Sequence, residues 1–404
     1  MPVWKIWIYI EPFINSNIVS KSKARYYLFP FAWIYGIIIW FRNMFFNIEL
    51  LPSENFNMPV ISIGNITIGG TGKTPHTEYL IRLLNKEYQV AVLSRGYKRK
   101  SKGFLLANEQ SNLVDLGDEP LQMKKKFSNL VVAVDENRRR GIHRLMDTSM
   151  KPFIDIILLD DAFQHRYVNP SISILLIDFN RMLKDDYLLP VGNLREPAGQ
   201  IKRAEIIIVS KCPTDLQPID FRVLTNNIKL QPYQALFYST MIYGELKAML
   251  SSILPIGKQA THEENTEETE ILEVGISYEN LTMDQIKREQ RPVLILTGIA
   301  SPDSLVDYVH QYCPNAEAMV YPDHHEFKKK DVYKISQAFE KIKAAGGVII
   351  STEKDVMRIY NNSYMENLAH YIYYPVLEVR FLDEQGASFD HKILDYVRIN
   401  KRYC

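Results

Sequence analysis

Apolar runs separated by polar segments recur along this chain, and their residue types are those of buried strands. The first run is "MPVISIG" at residues 58–64, and comparable β-branched runs follow it. These runs occupy residues 89–97, 129–135, 153–161, 171–178 and 204–211. Short, continuous apolar runs are typical of strands in a parallel sheet, and the intervals between them fit helices or loops. The alternation predicts an α/β fold with a parallel sheet and helices on both of its faces.

The pattern changes after Lys211. Prolines punctuate the next segment, and residues 233–249, "YQALFYSTMIYGELKAM", indicate the extended segments of a linker. Residues 261–273 are acidic and predict an exposed loop. Apolar runs at residues 291–300 and 346–355 then begin a second α/β pattern. We therefore expect a second, smaller α/β domain after the linker.

The length of 404 residues exceeds that of one ordinary core, so at least two domains are expected. We place the boundary between them near residue 225. The predicted parts are a membrane-associated N-terminal segment at residues 1–50, a first α/β domain at residues 51–225, and a smaller C-terminal α/β domain with the linker strands at residues 226–404.

An uncharged stretch rich in aromatic residues, "YYLFPFAWIYGIIIWF", lies between Arg25 and Arg42. It is shorter than the roughly 20 apolar residues of a spanning helix, and it contains Pro30 and Gly36. Basic flanks and amphipathic rings favour a helix that lies in the headgroup region of an anionic membrane surface. The alternative is a buried core helix. We expect association with a membrane without a full span.

The net charge and the cysteines indicate which partners and metal sites this chain is expected to lack. The formal net charge of +1 lacks the basic excess of nucleic-acid-binding domains, so no nucleic acid is expected as a partner. The three cysteines lie far apart without a C-x-x-C pair, which indicates a reducing compartment and no zinc site.

A glycine-rich turn follows the first predicted strand, where a helix is expected to begin. It resembles the phosphate-binding pattern G-x-x-x-x-G-K-[ST], except that Thr67 replaces the first glycine. Such a turn aims backbone N–H groups at an anion, its lysine reaches the β- and γ-phosphates, and its last hydroxyl helps to hold Mg²⁺. The predicted nucleotide-binding residues are Thr67, Ile68, Gly69, Gly70, Thr71, Gly72, Lys73 and Thr74.

Two adjacent carboxylates, Asp160 and Asp161, end the apolar run at residues 153–161. Open α/β sheets bind ligands at the carboxyl ends of their strands, where carboxylates can hold the metal of a phosphate loop. Three further polar clusters lie on predicted turns: Asp118 and Glu119 in "LGDEP", Arg195 and Glu196 in "GNLREP", and Asp323, His324 and His325 in "YPDHHEF". A phosphotransferase needs a base, a cation and a metal-binding carboxylate, and these clusters contain all three.

The motifs "SIGNITIGGTGKTP", "SRGY…SKGF", "GDEP", "DDAFQHR", "LREP", "GIASP", "PDHHEF" and "TEKD" occur in this order along the chain. In content and order they resemble the tetraacyldisaccharide 4′-kinase family, the lipid A 4′-kinases. The resemblance implies a P-loop NTPase (RecA-like) parallel-sheet domain joined to a smaller α/β domain, with the active site in the cleft between them. It also implies transfer of the γ-phosphate of ATP, with Mg²⁺, to the 4′-hydroxyl of tetraacyldisaccharide 1-phosphate, which forms lipid IVA.

The implied partners are this acylated glucosamine disaccharide lipid and the cytoplasmic face of the bacterial inner membrane, to which the protein would bind as a peripheral or monotopic protein. The resemblance implies roles for individual residues as well. Asp118 paired with His324 is the implied base, Lys73 and Asp161 are further catalytic residues, Thr74, Asp160 and Glu196 bind the metal, and Glu119 and Arg195 line the cleft. Two questions stay open: whether His324 or its neighbour His325 faces the cleft, and which of Arg138, Arg139 and Arg140, if any, meets a phosphate.

Two other functions are compatible with a phosphate loop. A GTPase or ATPase switch would hydrolyse its nucleotide without an acceptor, but residues 209–215, "VSKCPTD", lack the asparagine and the aspartate spacing of the guanine-reading N-K-x-D motif. A membrane-tethered nucleotide-binding scaffold would not need Asp118 and His324 to converge. Turnover of ATP that depends on an acylated disaccharide distinguishes a kinase from both.

Overall fold

The computed structural model describes residues 27–147, 149, 151–250, 281–360 and 362–401. The predicted acidic loop at residues 261–273 lies outside the described residues. Twelve strands form one sheet: β1 Val60–Gly64, β2 Val90–Ser94, β3 Leu105–Leu106, β4 Val131–Val134, β5 Ile156–Asp160, β6 Ile172–Asp178, β7 Ile206–Ser210, β8 Ala235–Ala248, β9 Val293–Thr297, β10 Glu317–Val320, β11 Val348–Ser351 and β12 Ile372–Phe381. Their order across the sheet is β10-β9-β11-β12-β8-β7-β6-β1-β5-β2-β4-β3.

We call the part built on β1 to β7 the first lobe. Each apolar run predicted before Lys211 contains one of its strands, and all of these strands pair in parallel except β3, which pairs antiparallel with β4 at the edge. The helices along this part of the chain are α1 Phe29–Asn47, α2 Lys73–Leu84, α3 Leu113–Leu116, α4 Asp118–Lys126, α5 Arg138–Leu145 and α6 Pro218–Ile228. The prediction of a parallel α/β sheet is confirmed.

Strand β8 joins this lobe to the rest of the sheet. Its first residues pair in parallel with β7, as in Val209 opposite Tyr238, and its later residues pair antiparallel with β12, as in Ser239 opposite Phe381. Residues 233–249 are extended, as predicted, but they are not a linker. Most of the segment is one continuous strand of the sheet. Its apolar and aromatic side chains are half-buried or buried between both neighbours, which favours a strand over an exposed connection.

The second lobe is built on β9 to β12. Its helices are α7 Met283–Arg288, α8 Asp303–Tyr312, α9 Lys329–Lys343 and α10 Glu353–Tyr360. The last helix, α11 Gln385–Lys401, returns to the first lobe, where Phe389, Ile393 and Val397 are buried in the same apolar cluster as Ile63 and Leu80. The predicted domain limits stay predictions. The chain passes from the first lobe to the second after β8 and returns to the first lobe with α11.

Helix α1 lies on the surface of the first lobe. By length and composition it could cross a membrane, with a mean hydropathy of 1.3 over its most apolar window. Ala32, Ile39, Asn43 and Phe46 are buried at helical spacing and form the side that packs on the lobe. Most of its other large apolar side chains are exposed, so α1 is not a core helix.

Candidate active site

The phosphate loop connects the end of β1 at Gly64 to the start of α2 at Lys73. Gly69 (φ 97°) and Gly72 (φ 82°) adopt left-handed conformations that favour glycine. A Cβ at Gly70 would have no heavy atom within 4 Å, so a ligand can approach this backbone closely. Because the N-terminus of α2 adds its dipole, the turn is suited to bind an anion.

Neighbouring side chains hold the loop in shape. Asn65 Nδ2 donates to Thr71 Oγ1 at 2.9 Å, and Ser210 Oγ donates to Thr71 O at 2.8 Å. Thr67 forms an isolated antiparallel bridge with Leu194 and does not have a positive φ. The left-handed conformation that glycine favours is not required at Thr67, so the loop accommodates threonine at the position of the first glycine.

Lys73 lies against Asp161, the residue after β5. Lys73 Nζ is 2.9 Å from Asp161 Oδ1, and Arg195 Nη1 is 3.3 Å from Asp161 Oδ2. Burial alone would raise the pKa of Asp161, but the charges of Lys73 and Arg195 outweigh burial and hold the pKa well below its usual range. Asp161 also has a positive φ of 46°, which is uncommon for residues other than glycine. The site therefore contains an ionised carboxylate between two cations.

Asp160 is fully buried at the end of β5. Its Oδ1 accepts a hydrogen bond from Thr77 Oγ1 and its Oδ2 accepts one from Ser94 Oγ, both at 3.4 Å. Burial, and then the negative charges of Glu119 and Asp161, raise the pKa of Asp160 above its usual range. A buried carboxylate that other carboxylates repel and that has only long hydrogen bonds is well suited to bind a cation.

The residues around Asp160 fit a Mg²⁺ ion. This ion is usually held by one or two carboxylates, while substrate phosphates and water complete its octahedral shell. Asp160 and the hydroxyl of Thr74, in the first turn of α2, are oxygen donors of this kind. Across the described ranges, no group of three or more His, Cys, Asp or Glu side chains could hold a metal ion by itself. Asp160 and Thr74 together fit a Mg²⁺ ion whose other ligands are phosphate oxygens and water.

Glu196 is fully buried and forms ion pairs with two arginines. Arg42 Nη1, on α1, lies 3.3 Å from Glu196 Oε1, and Arg203 Nη2 contacts Glu196 Oε2. Next to this contact, the Tyr35 hydroxyl of α1 donates to Arg195 O at 2.8 Å. Glu196 therefore anchors α1 next to Arg195, and its role as a metal ligand stays a prediction.

Asp118 and His324 come from different lobes and are in contact. Asp118 begins α4, His324 lies on the turn after β10, and Nδ1 of the imidazole is 2.9 Å from Asp118 Oδ2. Burial alone would raise the pKa of Asp118, but the hydrogen bond with His324 and the charge of Arg358 lower it to about 2. The ionised carboxylate accepts the Nδ1–H, which leaves Nε2 as the proton acceptor of the ring. Nε2 is 3.8 Å from Asp323 Oδ2, beyond hydrogen-bond distance.

His325 points to a different partner. Its Nε2 lies 3.0 Å from Asp331 Oδ2 at the start of α9, and its ring stacks on Tyr321 with centroids 4.7 Å apart. His324 also has a positive φ of 58°, so the turn reverses between the two imidazoles. Of the two histidines, His324 is the one that meets Asp118.

The three consecutive arginines that open α5 have separate partners. Arg138 is fully buried, and it donates to Asp135 O at 2.6 Å and to Asp160 O at 3.4 Å. Arg139 Nε lies 3.9 Å from Glu54 Oε2, and Arg140 Nη2 lies 2.7 Å from Asp135 Oδ1. Arg138 is therefore the member of this group that supports the candidate site, through the backbone of Asp160.

The sequence reasoning missed the contribution of α10. Three ion pairs join α4 to α10: Lys126–Glu353 at 2.7 Å, Lys354–Glu119 at 2.6 Å and Arg358–Asp118 at 2.6 Å. A signal was present in the sequence, because Arg358 follows Asp355 at the i,i+3 spacing of a helical ion pair, and these two side chains are 2.8 Å apart. The "TEKD" motif contains Asp355, but by itself it does not predict a contact with Asp118.

Comparisons with known proteins extend over nearly the whole chain. Residues 24–398 match the family described as LpxK, tetraacyldisaccharide-1-P 4′-kinase. The tetraacyldisaccharide 4′-kinase of Phocaeicola vulgatus is 44% identical over 96% of this chain and 99% of its own length. That of Bacteroides fragilis is 42% identical over 95% of this chain and 96% of its own. Among solved structures, the "apo" form of LpxK from Aquifex aeolicus in complex with ATP is 25% identical, covers 93% of this chain and 99% of that chain, and has a TM-score of 0.67.

Proposed function

This chain belongs to the tetraacyldisaccharide 4′-kinase family, and on this premise we propose how its own residues carry out the reaction. The protein is an ATP-dependent kinase of lipid A biosynthesis. It transfers the γ-phosphate of ATP to the 4′-hydroxyl of tetraacyldisaccharide 1-phosphate, and the product is lipid IVA. The proposals below concern the roles of individual residues, the metal and the membrane.

Asp118 and His324 act together as the base that deprotonates the acceptor hydroxyl. The observation that carries this proposal is the 2.9 Å contact between Asp118 Oδ2 and His324 Nδ1 across the two lobes. A carboxylate on Nδ1 orients the ring and stabilises the imidazolium that forms when Nε2 takes a proton. Because the two residues come from different lobes, the proposed base depends on the contact between the lobes.

The phosphate loop, Lys73 and Arg195 bind the phosphoryl group during transfer. Loop N–H groups approach the phosphates, and the two cations lie on either side of Asp161. Negative charge spreads over the phosphoryl oxygens in the transition state, so cations fixed beforehand stabilise it without further reorganisation. Asp161 keeps both cations in place and charged.

Thr74 and Asp160 are the proposed ligands of Mg²⁺, with Glu196 as a further candidate. When bound, the ion neutralises charge on the β- and γ-phosphate oxygens. Thr77 and Ser94 hold the Asp160 carboxylate by hydrogen bonds of 3.4 Å, which are weak enough to give way to a stronger interaction.

The function is tested by ATP turnover with and without the acceptor lipid. We expect ADP to form only when tetraacyldisaccharide 1-phosphate is added in mixed micelles. Turnover that does not need the acceptor would favour a nucleotide switch, and ATP binding without turnover in either condition would favour a scaffold. Either result would contradict the proposed base, which has no role without an acceptor hydroxyl.

Helix α1 also binds the protein to the cytoplasmic face of the inner membrane. Tyr35 and Arg42 fix one side of α1 to the first lobe, and Arg166 Nη1 donates to Asn43 O at 3.0 Å on the same side. The apolar residues exposed on the opposite side are Phe31, Trp33, Ile34, Ile37, Trp40 and Phe41. A helix held along the protein on one side cannot be surrounded by acyl chains, so α1 is suited to lie in the membrane interface.

The exposed side of α1 can be changed without touching the side that anchors it. In a triple variant with Trp33, Ile37 and Trp40 replaced by serine, about 4 kcal/mol of apolar burial is lost, so binding to anionic vesicles should weaken roughly 10³-fold. Ile219→Ser with Val223→Ser, on exposed positions of α6, is the matched control. Unchanged flotation of the triple variant with vesicles would contradict the proposed membrane surface.

A further inference from the structure

The second lobe contributes one more residue to the base. We propose that Arg358, on α10, is a positioning residue whose guanidinium fixes the Asp118 carboxylate, and through it the His324 imidazole, in the orientation that accepts a proton. This inference rests on the proposed role of Asp118 and His324 as the base. Arg358 acts through these two residues and is not itself proposed to touch a substrate.

One oxygen of Asp118, Oδ2, accepts hydrogen bonds from both Arg358 and His324. Arg358 Nε and Nη2 lie 2.9 Å and 2.6 Å from Asp118 Oδ2, the same oxygen that lies 2.9 Å from His324 Nδ1. A guanidinium donates in a rigid planar fork, so two of its bonds to one oxygen limit how that carboxylate can rotate. The imidazole shares this oxygen and is therefore held by the same fork.

Arg358 is in turn fixed within its own lobe. Its Nη1 donates to Gly298 O at 2.9 Å and to Asp355 Oδ1 at 2.8 Å. Asp355 is fully buried, and its Oδ2 accepts hydrogen bonds from Gly298 N at 2.9 Å and from Thr352 Oγ1 at 2.7 Å. Nη1, the guanidinium nitrogen that does not face Asp118, is thus held by two groups of the second lobe, and these contacts orient the fork toward Asp118.

Arg358 also contacts the imidazole directly. Arg358 Nη2 is 3.1 Å from His324 Nδ1. The other side chains that face the ring are Asp118 on α4, Asp323 on the same turn and Tyr97 after β2. The guanidinium therefore contacts both members of the proposed base.

The test compares three variants by steady-state kinetics. Arg358→Gln should lower kcat about 10-fold or more, with KM for ATP within about 3-fold of wild type, because the guanidinium orients the base and is not proposed to touch the nucleotide. Arg358→Lys keeps the charge without the planar fork, so its kcat should lie between those of Arg358→Gln and wild type.

Glu353→Gln is the matched control, because it removes the Lys126–Glu353 ion pair between the same two helices. It should change neither kcat nor KM. A kcat loss in Arg358→Gln no larger than in Glu353→Gln, or a KM for ATP that rises as much as kcat falls, would mean that Arg358 only joins the helices.

If thermal melting shows that Arg358→Gln does not fold, Arg358→Lys decides the question, since a wild-type kcat there would overturn the inference. Failure of the proposed base would be visible separately, because Asp118→Ala and His324→Ala would then keep their activity.

Discussion

Replacing Asp118 and His324 by alanine, singly and together, separates a joint base from two independent residues. A general base contributes about 10²- to 10⁴-fold to a rate, so each single variant should lose about 10³-fold in kcat, or about 4 kcal/mol. Asp118 Oδ2 already accepts hydrogen bonds from His324 and Arg358, so the carboxylate acts on the acceptor through the imidazole. The double variant should therefore also lose about 10³-fold, whereas independent residues would lose about 10⁶-fold, or about 8 kcal/mol.

The assay is transfer of labelled phosphate from ATP to the acceptor lipid at saturating concentrations of both. His325→Ala, which removes the bond to Asp331 and the stacking on Tyr321 without changing a partner of Asp118, is the control for a histidine on the same turn. Melting temperatures are needed as well, because Asp118→Ala removes one of the two acidic partners of the buried Arg358. Losses that multiply in the double variant would refute the joint base.

Lys73 and His76 of the first lobe test the phosphate loop and the pH dependence of stability. Lys73→Ala should lower kcat about 10³-fold or more, because it removes a cation from the phosphoryl group, and near-normal turnover in a folded variant would exclude the phosphate loop as the ATP site. Burial lowers the pKa of His76 to about 4 from 6.5, although its bond to Gly72 O opposes this shift. The unfolded chain therefore binds more protons between these values, and up to about 3 kcal/mol of unfolding free energy is lost as the pH falls from 6.5 to 4. In urea denaturation, the unfolding free energy of His76→Gln should fall less than that of wild type between pH 6.5 and pH 4. An equal fall in both proteins would contradict a lowered pKa of His76 as its cause.

Local patterns of the sequence predicted the strands of the first lobe and brought its candidate site residues into view. The strands are short apolar runs, and the phosphate loop and the Asp160–Asp161 pair are contiguous in sequence, so each can be read without knowledge of the fold. Topology then brings them together, because β1 and β5 are adjacent parallel strands whose carboxyl ends meet at one edge. The pairing of Asp118 with His324 was implied by the family resemblance and could not be obtained from residue spacing.

Contacts between distant segments were not predictable. Arg358 and Asp118 are separated by 240 positions, and their contact depends on how β8 and β12 join the two lobes. The residues that flank β8 have the proline-rich, polar composition of a linker. The place of β8 in the sheet depends on its pairing with β7 on one side and β12 on the other. The ion pair of Arg42 with Glu196 was missed for the same reason, because it depends on where α1 packs.

Phosphate transfer to a defined position of the lipid tests the base assembled from both lobes most directly. The full chain is incubated with labelled ATP and tetraacyldisaccharide 1-phosphate, and the label on the isolated lipid is mapped by mass spectrometry and NMR. We expect one new phosphate, on the 4′-oxygen, in wild type and only traces of it in His324→Ala. A label at another position, label released as inorganic phosphate, or full 4′-labelling by His324→Ala would contradict a 4′-kinase that uses this base.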